Sequence, residues 1–87
     1  MMNVYEQIAQ LLEKEGWIQR NAYRPGDGYC LVGAISVIAH SKYREISNAL
    51  MNRVALENPV WSRSWLTQWN DAPGRTKEEV LALLRSI

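Results

Sequence analysis

Cysteine and histidine occur once each in this sequence, and neither charge is in clear excess. Cys30 is its one cysteine, so no internal disulfide can form and a reducing cytoplasm is the expected setting. His40 is its one histidine. One Cys and one His are too few for a structural zinc site, and no acidic cluster supplies further ligands, so neither metal nor other cofactor is expected. Ten basic side chains against nine acidic ones leave a net charge of +1. A protein dedicated to the phosphate backbone usually carries a basic excess, so nucleic acid is not the expected partner. Long apolar runs are also missing. The longest, from Tyr29 to Ala39, is broken by Gly33 and Ser36 and falls well short of the roughly 20 residues a bilayer needs. Asn3, Glu6 and Gln7 interrupt the start of the chain, which argues against a secretory signal.

What is present is an ordinary globular balance. Apolar residues make up 47% and charged residues 22% of 87 residues, enough for one domain over 1–87 with a thin core. So thin a core is compatible with a homodimer.

Val4, Ile8, Leu11 and Leu12 mark one face of a helix from Asn3 to Glu15, with Asn3 as cap and Gly16 as stop. Pro25–Gly26 and Asp27–Gly28 are turn dipeptides, and the flanking "AYR" and "GYC" can pair as a short β-hairpin. Cys30 to Ala39 reads as a central helix that is apolar around almost its whole circumference and therefore buried. A buried strand is the rival reading, and length and the two alanines favour helix. A third helix is expected from Ser41 to about Glu57, with Tyr43, Ile46, Leu50 and Val54 inward and Asn58–Pro59 as its end. Trp61, Trp65 and Trp69 recur at i, i+4 and i+8 and suggest another short helix. Pro73–Gly74 suits a type II turn. Thr76 and Glu79 form a capping box for a last helix that carries Val80, Leu83, Leu84 and Ile87 on one face. The expected fold is mainly α. Four to five helices form it, the first, third and last wrapping the central apolar one.

Candidate chemistry centres on Cys30. A thiol at a helix start can be acidified and act as a nucleophile, but it needs a base. On one helix, His40 would lie roughly 15 Å away along the axis, far beyond hydrogen-bond reach. A buried, structural Cys30 is the better reading. His40 suits the end of the central helix. Asn70 and Asp71 read as turn-capping residues, with Asp71 placed to pair with Arg75. The tryptophans, with Arg63 and Arg75 nearby, would either stack on a ligand or fill the core; core is favoured for at least two of the three. Glu78 and Glu79 in the first turn of the last helix would repel DNA.

"CLVGAI" at 30–35 and "WNDAPGRTKEEVLALL" at 69–84, with "EKEGWIQ" at 13–19, resemble a family of small actinobacterial and phage proteins classed as a domain of unknown function. The resemblance spans most of the chain. Its motif residues here are Cys30, Gly33, Trp69, Asn70, Asp71, Gly74, Thr76 and Glu79. It implies no catalytic role and points to a phage or mobile-element setting.

The expected function is a non-enzymatic, regulatory protein-binding module, acting on an unknown partner such as a host protein. Trp17, Tyr23, Arg24, Tyr29, Trp61 and Arg63 are the expected binding residues. Two alternatives stand beside it. One is a cysteine-dependent enzyme in which the fold brings His40 or Asp71 to Cys30. The other is a weak nucleic-acid binder that uses Arg20, Arg24, Lys42 and Arg44.

Overall fold

Local signals set most of the element boundaries. In the computed structural model, which describes residues 2–87, helix α1 spans Val4–Glu15. The Asn3 side chain accepts the Glu6 N–H at 2.9 Å, which satisfies one of the free donors of the first turn. Gly16, at φ +104°, ends the helix and donates to Leu12 O. Ile8, Ala9 and Leu12 form the buried face.

Strands β1 (Tyr23–Arg24) and β2 (Gly28–Tyr29) make the short antiparallel hairpin, with Tyr23 opposite Tyr29 and Arg24 opposite Gly28. Asp27 N–H donates to Arg24 O at 3.0 Å across Pro25 and Gly26, and Gly26 has φ +83°, a type II turn. The other edge of β2 joins the exit of α1. Tyr29 N–H donates to Gly16 O and Ile18 N–H to Tyr29 O. A Cβ on Gly28 would collide with the Gly16 carbonyl, so this crossing requires glycine.

Helix α2 is Leu31–Ala39, capped by Cys30. Leu31, Gly33, Ala34 and Ile35 are buried, whereas Val37 is 55% exposed. The helix is therefore not enclosed all round. Its main neighbours are α1, α3 (Tyr43–Glu57) and α4 (Leu66–Asn70), while the last helix, α5 (Lys77–Leu84), packs mainly on α1 and α3. The expected wrapping of α2 by the last helix is corrected accordingly: α5 is not among the main neighbours of α2.

Helix α3 begins two residues later than expected. His40–Lys42 form a 3-10 turn, and Ala39 precedes it with φ −151°, outside the helical region. Ile46, Leu50 and Val54 then point inward. Asn58 is extended before Pro59 and ends the helix.

The three tryptophans do not share one helix. Pro59–Trp61 form a 3-10 turn, Ser64 N–H closes back on Trp61 O, and Trp65 is the extended residue before α4. Trp69 is buried, Trp61 packs partly against the core, and Trp65 is 77% exposed. The Ala72–Arg75 turn is type II, with Gly74 at φ +82°. Thr76 and Glu79 make the reciprocal capping box of α5. Ile87 lies beyond the helix end and is half exposed, so it does not extend the buried face of Val80, Leu83 and Leu84.

Candidate functional site

Asn70 is fully buried at the end of α4. Its Oδ1 accepts from Trp17 Nε1 at 2.7 Å and from Leu31 N–H at 3.0 Å. Its Nδ2 donates to Ile18 O at 3.2 Å and to Asp71 Oδ1 at 2.9 Å. Two obligate donors face the oxygen and two acceptors face the nitrogen, which fixes the amide orientation and uses both of its donors. Gln19 Nε2 donates to Asn70 O and Ala72 O, and Arg20 N–H donates to Asp71 Oδ1. Arg20 holds φ +75° there. The exit of α1, the start of α2 and the end of α4 thus converge on one amide. This clasp explains why Trp17 is half-buried and bonded inward rather than free for a ligand.

Cys30 sits beside the clasp. It is buried, and its Sγ accepts the Gly33 N–H at 3.3 Å as the cap of α2. Burial pushes the thiol above its ordinary value, and helix N–H donors offset only part of that rise. Gly33 has no room for a side chain, because the Ala22 carbonyl lies against it. His40 is at the opposite end of α2, in a shallow dip with Val32, Ser36 and Tyr43. Asp71 is close enough to Cys30 to raise its pKa further, and its carboxylate is engaged by Arg20 and Asn70. No group of three or more His, Cys, Asp or Glu side chains is placed to hold a metal among the described residues.

The expected Asp71–Arg75 pair does not form. Arg75 turns to the other side of the Pro73–Gly74 turn, donating from Nε to Trp69 O at 2.9 Å and from Nη1 to Glu79 at 3.2 Å. Its guanidinium lies 4.0 Å from the centroid of Trp69 and 5.7 Å from that of Trp61. Trp61 therefore belongs to a cleft of about 320 Å³ in which the arginine is already satisfied by internal partners. On the hairpin, Tyr23 stacks on Tyr29 at 4.7 Å and Arg24 pairs with Asp27. Arg63 is exposed on the segment before α4. Arg20 and Arg24 lie near the start of α2, and Lys42 and Arg44 follow its end, so these four cations form no continuous track.

A second, wider groove lies between α3 and residues 62–67, with a volume of about 540 Å³. Two rows of α3 line it. Tyr43, Ser47 and Met51 form an inner, half-buried row, and Arg44, Asn48 and Asn52 form an outer, exposed row. Ser62, Ser64, Trp65, Leu66 and Thr67 form the facing wall. Ser47 Oγ is buried without a hydrogen-bond partner. Sequence reasoning missed this groove. The signal available was the i, i+4, i+8 polar ridge 44–48–52, which lies across the helix from the buried ridge 46–50–54.

No curated protein and no solved structure matches the chain. The family of unknown function DUF6197 matches residues 2–87, and the chain belongs to it.

Proposed function

We propose that this member of DUF6197 is a non-enzymatic protein-binding module whose docking surface is the groove beside Trp65. The observation that carries the reading is the 77% exposure of Trp65. A tryptophan left in water at the rim of a groove is a costly placement that an interface would repay, because large aromatics dominate binding energy when a partner desolvates them. Leu56, near the end of α3, and Val60, in the turn that follows it, are likewise exposed, at 78% and 74%. The thiol gives the enzymatic alternative no support, since it is buried and occupied as a helix cap. The separation of Arg20 and Arg24 from Lys42 and Arg44 likewise gives the nucleic-acid alternative none.

The resemblance to small phage and actinobacterial proteins supports a partner in the host of a phage or mobile element, and the lone cysteine supports a cytoplasmic setting. The test is affinity capture with the wild-type chain and the Trp65→Ala variant side by side. A protein held by the wild type, lost with Trp65→Ala and regained with Trp65→Phe is the expected result. Identical sets of captured proteins on all three would overturn the reading. Self-association abolished by Trp65→Ala, read by sedimentation, would make the partner a second copy of the chain.

A further inference from the structure

We propose that the groove between α3 and residues 62–67 takes an extended, strand-like peptide segment that is uncharged through its middle and carries a carboxylate at the Arg44 end. This rests on the reading of that groove as the docking surface, and specifies what docks.

The outer wall is a ladder. Arg44, Asn48 and Asn52 follow one another at four-residue steps on α3, which is about 6 Å per step along a helix. An extended chain repeats its same-side peptide groups every two residues, or about 6.6 Å. Over the two steps from Arg44 to Asn52 the mismatch is about 1 Å, within the reach of a rotating side-chain amide. Each asparagine presents one acceptor and a donor NH₂, the same pair that a peptide unit offers in reverse. Neither asparagine side chain bonds to another side chain or to the backbone of the described chain. A helical partner presents an apolar stripe rather than free backbone groups, so it would leave this polar ladder unused.

The inner row and the facing wall suit the side chains of such a strand. Met51 and the Trp65 ring offer apolar contact, and Leu66 closes the floor. Arg44 is the only charged residue of the lining. Arg44 also borders the dip that holds His40; the exposed Lys42 and Glu45 flank it in the chain with opposite charges, so the guanidinium itself favours a carboxylate at that end.

The test is panning of random displayed peptides on the intact chain, with Trp65→Ala as the counter-selection. Enriched sequences should place an acidic residue at one end of an alternating pattern of apolar residues. A synthetic peptide of that consensus should move the amide resonances of residues 43–52 and 62–67. Asn48→Ala/Asn52→Ala and Arg44→Glu should each weaken it by about tenfold or more, with unchanged melting since all three positions are exposed. Replacing the peptide's acidic residue by its amide should reproduce the Arg44→Glu loss. Enrichment with a three-to-four-residue helical repeat would overturn this inference while leaving the docking surface in place. No enrichment over the counter-selected chain, or binding indifferent to Asn48 and Asn52, would overturn it as well. Groove resonances moved by maltoheptaose and by no peptide would overturn it by assigning the site to a neutral sugar instead.

Discussion

Asn70 carries more of this fold than its place in a turn-like "WND" stretch discloses. An Asn–Asp pair after a helix is legible as a cap, because capping is a local habit of those side chains. That its amide meets Trp17 and Leu31 is not legible, because both partners are distant in sequence and only the folded chain brings them together. Truncation at Asn70→Ala would strand the Trp17 and Leu31 donors and the Ile18 carbonyl in a buried place. The expected cost is about 2–4 kcal/mol by urea unfolding. Asn70→Asp should not rescue it, since a carboxylate keeps the two acceptances but loses the donor and faces Asp71. An Asn70→Asp variant as stable as the wild type would refute the clasp. Cys30 gives a second test at this scale. Its buried thiol should react with a disulfide reagent far more slowly than the unfolded chain, and at the unfolded rate once urea is added. Because its pKa is raised in the folded state from 9.0, the unfolded thiol ionises first, so stability should fall as pH rises past that ordinary value.

Elements whose signals are local were legible to within a residue or two, and those that depend on neighbours were not. The first helix follows from Asn3, Gly16 and its apolar period; the two type II turns follow from Pro–Gly pairs whose dihedrals are preset. The tryptophan segment shows the opposite. Trp61, Trp65 and Trp69 have helical spacing, yet Ser62, Arg63 and Ser64 interrupt it, and the Trp65 N–H donates to Gln68 Oε1 at 2.7 Å, starting a new helix. Periodicity alone registers spacing and not a break between two turns of it. The apolar girth of α2 likewise overstated burial, because its sequence cannot say that α5 would settle elsewhere. Helix α5 itself depends on its start. The Thr76 hydroxyl accepts the Glu79 N–H at 3.2 Å and Glu79 accepts the Thr76 N–H in return at 2.9 Å. Thr76→Ala should therefore cost about 1 kcal/mol, and Thr76→Ser should recover most of it. Loss of stability in the serine variant equal to that in alanine would mean the methyl group, and not the cap, matters.

At the scale of the molecule, the two ends of the chain are tied by Arg85. Just beyond α5 it donates to both carboxylate oxygens of Glu6, each at 3.0 Å, and to Glu13 at 2.6 Å. Two turns of α1 are thereby held by one planar group, the bidentate geometry that gives guanidinium pairs their strength. The hydrogen bonds from Arg85 hold Glu6 below its ordinary value of 4.5. A depressed carboxylate contributes stability that is present above its unfolded pKa and is lost as pH falls through the folded one. The wild type should accordingly unfold at higher urea than Arg85→Ala at pH 7, and the gap should narrow as pH falls below the ordinary carboxylate value of 4.5 and on through the lowered folded one. Salt should narrow it too, because the three side chains are exposed in part and screening reaches them. Arg85→Lys separates charge from geometry. A lysine keeps the charge but cannot span both carboxylates with a fixed fork, so it should recover only part of the gap at neutral pH. A gap that stays the same throughout an acid titration would show that Arg85 acts by packing its aliphatic stem against α1, not by its charge.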